Sequence, residues 1–225
     1  MVNDSFDDRV SALAALDEPT RRRLFEYVSK EVDPVSRDEA AEALDLPRPT
    51  IVFHLDKLVH EGLLDVVFAR RNGRDGPGAG RPSKLYKRST TQLDVSIPPR
   101  RYDMAAELLA DAVEESDRTG VSARDALRRL ACDAGRDLAT GGATGERGLI
   151  ELLESFGFEP REIAAQIALG NCPFHSLVMR HAALVCDMNL GLVEGMIDGA
   201  KAEGLRARLN PSEQHCCVRL SRAKP

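Results

Sequence analysis

Residues 36 to 64, "SRDEAAEALDLPRPTIVFHLDKLVHEGLL", restrict the fold more tightly than any other stretch of the chain. Ser36, with Glu39 three residues later, has capping-box spacing, and Ala40, Ala43 and Leu44 give the helix it opens a small apolar face. Pro47 ends that helix, because proline offers no amide hydrogen and crowds the preceding turn. The next helix carries Ile51, Leu55, Leu58 and Val59 on one stripe and stops at Gly62. Upstream, apolar spacing predicts a helix up to Leu16. A second follows, capped by Asp17, with Pro19 in its first turn and Leu24, Phe25 and Val28 facing inward. Two short helices joined by a tight turn, the second exposing basic and polar residues near its start, are the arrangement that enters the major groove of DNA.

Outside the apolar stripe of that second helix lie Arg48, Thr50, Val52, Phe53, His54 and Lys57. Arg48 and Lys57 suit phosphates or guanine edges, and Thr50 can reach a phosphate or a base. Phe53 can meet thymine methyls or pack against a neighbouring hairpin. His54 can touch a phosphate or remain a surface histidine of an amphipathic helix. The following stretch, "LLDVVFARRNGRDGPGAGRPSKLYKRS", reads as strand, glycine-rich loop and returning strand, which is a wing. Arg70, Arg71, Arg74, Arg81, Lys84 and Lys87 line it, and such charges match phosphates and release counterions. "GRP" at 80 to 82 has the form of a minor-groove hook carried by Arg81.

Charge supports this placement. The chain has a formal net charge of -5, which on its own argues against a polyanionic partner. Residues 1 to 45, however, hold six Lys or Arg against twelve Asp or Glu, whereas residues 46 to 90 hold nine against four. The positive charge is therefore confined to the helix-turn-helix and wing. With 225 residues, 43% of them hydrophobic, the chain can bury at least one full core. Its acidic first ten residues and interrupted apolar runs read as a cytoplasmic protein with no membrane segment.

Residues 97 to 140 read as two helices joined at "DRTG". The first bears Met104, Ala105, Leu108, Leu109, Ala112 and Val113 on a face broad enough to join domains and pair two copies. A homodimer also suits paired half-sites on double-stranded DNA. From Leu149 the pattern gives helix, strand, helix, strand and strand, with one strand over "REIAAQIALGNC" and two more at "LRARLN" and "CCVRLS". The expected fold class is α+β in three parts: a winged helix-turn-helix over residues 1–92, a helical linker and dimerisation segment over 93–148, and a C-terminal α+β domain with a small antiparallel sheet over 149–225.

Five cysteines, an odd number, do not read as a disulfide framework. Cys132 falls on the apolar side of its helix and reads as a small core residue. The other four cluster with histidines in "GNCPFHSLVMRHAALVC" (170–186) and "HCC" (215–217), which fits a metal centre or a packed core. On one straight helix His175 and Cys186 would stand about 16 Å apart at ~1.5 Å per residue. A shared metal would therefore require that helix to break between about His175 and Leu184, although "RHAA" holds neither Pro nor Gly. Strand alternation puts Cys216 on the face of Val218 and Leu220, and Cys217 on the other. A thiol enzyme pairing Cys172 or Cys186 with His175 or His181 would have Asp187 as its nearest orienting acid. That is too little for a catalytic site, and the expectation is a non-enzyme.

Two sets of residues carry a family resemblance. Thr50, Ile51, His54, Leu55 and Leu58 resemble the recognition-helix pattern of ArsR-type winged-helix regulators. "NCPF" at 171–174, "LVC" at 184–186 and "HCCVRL" at 215–220 resemble the cysteine pattern of the SufR-like branch, which represses iron-sulfur assembly genes. The resemblance implies a DNA-binding repressor with an iron-sulfur cluster on Cys172, Cys186 and Cys216. Cys217, His175, His181, His215 or an exogenous group would fill the fourth position. It also implies the helix break. The alternative is a winged-helix regulator with a zinc-stabilised or small-molecule-binding C-terminal domain.

Overall fold

The computed structural model describes residues 5–70, 82–163, 166–211 and 216–222. The chain divides into two compact units, residues 1–95 and 96–225.

In the first unit, α1 (Phe6–Ala15) opens with a capping box between Ser5 and Asp8. α2 (Pro19–Lys30) is capped by Glu18 rather than Asp17: its carboxylate accepts from the Thr20 and Arg21 amides at 3.0 and 2.6 Å. Pro19 then takes the first helical position, where no amide hydrogen is needed. A two-residue strand, β1 (Val35–Ser36), leads into α3 (Arg37–Leu44), whose Ser36–Glu39 capping box forms as its spacing predicts. α4 (Arg48–His60) follows Pro47, and Gly62, at a φ of 71°, turns the chain into β2 (Leu64–Ala69). β3 (Ser83–Arg88) returns antiparallel to β2 and pairs with β1 on its other edge. Leu24, Val28, Ile51, Leu55, Leu58 and Tyr86 close the core beneath this three-stranded sheet. Arg71, Arg74 and Arg81, with most of the wing loop, lie outside the described residues.

The second unit contains α5 (Tyr102–Thr119), α6 (Ala123–Leu138), α7 (Gly145–Phe156), β4 (Pro160–Ile163), β5 (Gln166–Leu169), α8 (His175–Gly199), β6 (Leu205–Leu209) and β7 (Val218–Arg222). Its antiparallel sheet runs in the order β4-β5-β7-β6. The stretch expected as one strand from Arg161 is a hairpin, with Pro160 opposite Leu169 and Ile163 opposite Gln166. No Gly, Asn or Pro stands between Ile163 and Gln166 to announce the reversal. α5 and α6 share one buried cluster with α7, α8 and the sheet, so 93–148 and 149–225 have a single core. Ala105, Leu108 and Ala112 are used inside that core, and of the α5 face expected to pair copies, Val113 remains 53% exposed.

α8 is long and apolar enough to suit a membrane span, with a mean hydropathy of 1.2, but between Val185 and Ile197 it is the central helix of this core. It packs on α6 almost backbone to backbone, because Gly191, Gly195 and Gly199 recur every four residues along one face. A Cβ on Gly195 would lie 1.9 Å from the Cys132 carbonyl oxygen, and one on Gly135 would lie 2.0 Å from that of Leu192. Arg128 of α6 clamps the same seam, pairing with Asp187 and, at 2.9 Å, with Glu194. Gly195→Ala should therefore force the helices apart and lower the stability of this unit by about 1–3 kcal/mol in denaturant unfolding. Unchanged stability would contradict the close approach.

Candidate nucleic-acid interface and candidate metal centre

The outward side of α4 presents Arg48, Phe53 and Lys57, with Thr50 half-buried beside them. Phe53 is 65% exposed and touches the His54 ring edge-on instead of packing on the wing. His54 itself turns inward: it is only 8% exposed, and its Nδ1 lies 3.6 Å from the Glu18 carboxylate. This corrects its assignment to the groove-facing set. His54 stands three residues after Ile51 and four before Leu58, a spacing that places it on the buried stripe.

Basic residues of this surface are held by neighbouring acids. Arg48 pairs with Asp38 at 2.8 Å, Lys57 pairs with Glu61, and Lys84 of β3 pairs with Asp56 of α4 at 2.8 Å. The hydrogen bond from Lys57, working against burial, holds the Glu61 carboxyl below its ordinary range, and the bond to Asp56 raises the Lys84 ammonium. The Lys84–Asp56 bridge ties the wing to the helix, while Lys84 also lies 5.1 Å over the Tyr86 ring. Lys87 is opposite Asp65 and, by strand alternation, on the face away from Tyr86 and the helices. Arg70, the residue after β2, is exposed. The structure thus gathers Arg48, Thr50, Phe53, Lys57 and Lys84 around α4, and separates His54 and Lys87 from them.

In the second unit, four cysteines from three distant stretches meet at one cavity of about 530 Å³, lined also by Arg100, Asn171, His175, Val178 and Met179. Cys172 follows β5, Cys186 lies on α8, and Cys216 and Cys217 precede β7. All four are free and buried. The thiols of Cys172 and Cys216 lie close enough to perturb one another, as do those of Cys216 and Cys217 and of Cys186 and Cys217. Cys186 reaches this group because α8 breaks at His181, whose φ of -132° and ψ of 41° are not helical. The expected break is present without Pro or Gly. His175 lines the cavity, His181 forms the exposed bend and is not among its lining residues, and His215 lies outside the described residues. Cys132 sits apart, half-buried in the α6–α8 seam.

The alternation argument separating Cys216 from Cys217 does not hold, because β7 begins only at Val218 and both residues line the cavity. The Cys216 amide donates to the Leu169 carbonyl at 2.8 Å, and Asn210 donates to the Cys217 carbonyl at 2.6 Å. These bonds secure the pair to β5 and to the end of β6. The backbone N–H groups of Phe174 and Val218 act to lower Cys172 and Cys216 respectively, but do not prevail. The Cys172 thiol is pushed far up by its hydrogen bond with Cys216 and by burial. The Cys216 thiol is pulled down by Cys172 but raised more by Cys217 and burial, to about 12. Burial likewise raises Cys186. Packed together away from water, these groups favour the neutral thiol, and only a bound cation would favour several thiolates at once.

Among the described residues no three His, Cys, Asp or Glu side chains are arranged to hold a single metal ion. The donor set nevertheless fits a polynuclear centre, which spreads its thiolate ligands over several irons rather than drawing them within about 2.3 Å of one zinc. Asp187, the carboxylate available to a cysteine–histidine couple, is engaged by Arg128.

The cysteine loop is fastened to the first residues of the second unit. Arg100 Nη1 donates to Asn171 Oδ1 at 2.5 Å and to the Cys172 carbonyl at 3.1 Å. The Arg101 amide donates to the Pro173 carbonyl, and Tyr102 Oη bonds Ser176 Oγ at 2.8 Å. Asn171 completes the brace by donating to the Gly157 carbonyl at 2.6 Å. Neither brace nor bend is visible in the cysteine spacing. The only local signal is the polar pair Arg100 and Arg101 after two prolines. Asn171→Ala should cost about 1–2 kcal/mol in denaturant unfolding of this unit, because it leaves the Gly157 carbonyl without its donor, while Arg100 keeps the Pro99 and Cys172 carbonyls. A loss below about 0.5 kcal/mol, the scale of an ordinary surface substitution, would show that the brace carries no strain-bearing contact.

Residues 16–67, from the residue after α1 to the middle of β2, match a family model described as a helix-turn-helix domain. No curated protein and no solved structure matches the chain. With its basic helix and wing, this domain makes the chain a DNA-binding transcriptional regulator.

Proposed function

We propose that this regulator is a repressor that acts as a homodimer and holds an iron-sulfur cluster in the cavity of its second unit, the cluster's presence setting how well the first unit binds its operator. The observation that carries the reading is the bend at His181, which returns Cys186 to Cys172 and Cys216 across a distance that a straight helix could not close. Cys172, Cys186 and Cys216 are the thiolate ligands, with Cys217 or His175 at the remaining position, since both line the same cavity. The resemblance to SufR-like regulators supports the cluster and the repressor role. The dimer is supported by the stripe of Phe6, Val10 and Leu13 on α1, each at least 40% exposed and spaced for a helix-to-helix contact.

When bound, such a cluster supplies reversible electron transfer and a sensitivity to oxidants. The chain's own residues supply the transmission. Pro99 to Tyr102 are hydrogen-bonded to residues 171–176, so movement of the Cys172 loop is movement of the segment through which the chain arrives from the DNA-binding unit. Arg48, Thr50, Phe53, Lys57 and Lys84 contact the duplex, and Lys57 and Lys84 exchange Glu61 and Asp56 for phosphates as they do so. Arg70, Arg71, Arg74, Arg81 and Lys87 of the wing extend the charge.

Anaerobically prepared protein should be brown and contain iron and acid-labile sulfide. Cys186→Ser should remove the visible absorbance while leaving the far-ultraviolet circular dichroism unchanged. A colourless wild-type protein with stoichiometric zinc, or a Cys186→Ser variant that keeps its colour, would overturn the assignment.

A further inference from the structure

Asn189 is the polar residue that the core of α8 does not need. It is fully buried within a run that is otherwise apolar or glycine from Met188 to Val193, and three residues after Cys186 it lies on the same side of the helix. Its Oδ1 has no hydrogen-bond partner among the described residues. Leaving a buried amide oxygen unpaired costs about 1–3 kcal/mol, so packing alone would favour leucine here. The other end of the amide has a partner: Nδ2 lies 3.2 Å from Cys216 Sγ, a fully buried contact. A neutral thiol is a weak acceptor, whereas a thiolate accepts charge-assisted hydrogen bonds roughly twice as strong as neutral ones. The amide is therefore turned toward a sulfur that rewards it only when that sulfur is an anion.

We infer that Asn189 is a positioning residue for Cys216, its side-chain N–H set to stabilise the metal-bound thiolate and thereby to fix the reduction potential and the retention of the cluster. This rests on the cluster reading above. Cys216 then receives a side-chain N–H donor from Asn189. Cys186, on the same helix, gains no such donor from Asn189. Hydrogen bonds to ligand sulfurs raise cluster potentials, because they favour the more negative reduced state. The bond at Cys216 is the one that a single substitution can remove without altering the main chain.

Asn189→Leu keeps the branched shape and removes the donor, and Asn189→Ala removes the donor without adding bulk. Both are to be compared with the wild-type chain after anaerobic cluster reconstitution. Three quantities are read: the midpoint potential, the rate at which an iron chelator bleaches the visible absorbance under nitrogen, and the melting temperature of the metal-free protein. The expected result is a more negative potential and bleaching on the order of tenfold faster in both variants, the usual scale for loss of a ligand's hydrogen-bonding partner. The metal-free Asn189→Leu protein should melt no lower than wild type. Variants with wild-type potential and bleaching rate would overturn the inference and leave the cluster reading intact. So would a lower melting temperature for metal-free Asn189→Leu with an unchanged potential, which marks a structural role. A wild-type chain that takes up no iron and sulfide would overturn both.

Discussion

The two segments of α8 are held by different partners, and the direction of the helix changes between them. Beyond His181, Gly191, Gly195 and Gly199 press its backbone onto α6, and Arg128 locks the contact through Asp187 and Glu194. Ahead of His181, the first turn is tied to Tyr102 through Ser176, and the loop before it to Arg100 and Arg101. A straight helix could not satisfy both sets of contacts. The bend is therefore imposed by tertiary packing rather than by local propensity, which it overrides at His181. The cavity and the meeting of the four cysteines follow from it.

The same contacts bury the cysteine group together, which favours neutral thiols in the metal-free chain. A bound cation would favour thiolates instead, and the segment bearing Cys172 is the one bonded to the start of the second unit. In the first unit, basic side chains are already paired with Asp38, Asp56 and Glu61. The pairs with Asp38 and Asp56 are exposed and contribute only ~0–1 kcal/mol. Glu61 is nearly buried and stays bonded to Ser11.

Much of the first unit was legible because its signals are local. The Ser36–Glu39 capping box, Pro47, Gly62 and the alternating strands around the wing each specify their own backbone within a few residues. The failures were of two kinds. His54 is buried as its i+3 spacing from Ile51 and i−4 spacing from Leu58 dictate, although its side-chain chemistry suits a phosphate contact. The cap on α2 moved from Asp17 to Glu18, a boundary shift of one residue. In the second unit the missing information is non-local. The hairpin at 160–169 has no turn residue, the two cysteines before β7 are fixed by Leu169 and Asn210, and α5 spends its apolar face inside its own unit. The clustering of cysteines could be read from their spacing and family pattern, but the bend that unites them depends on glycines and arginines far along the chain.

The most direct test selects duplexes from a random pool with the anaerobically purified wild-type protein, then follows affinity for the best duplex by fluorescence anisotropy while the visible absorbance is bleached in the same sample. Affinity should change in proportion to the bleached fraction, by a factor of about ten, within the 5- to 150-fold range of ordinary two-site coupling. Unaltered affinity across complete loss of absorbance would show that the cysteine cavity does not govern the DNA-binding unit.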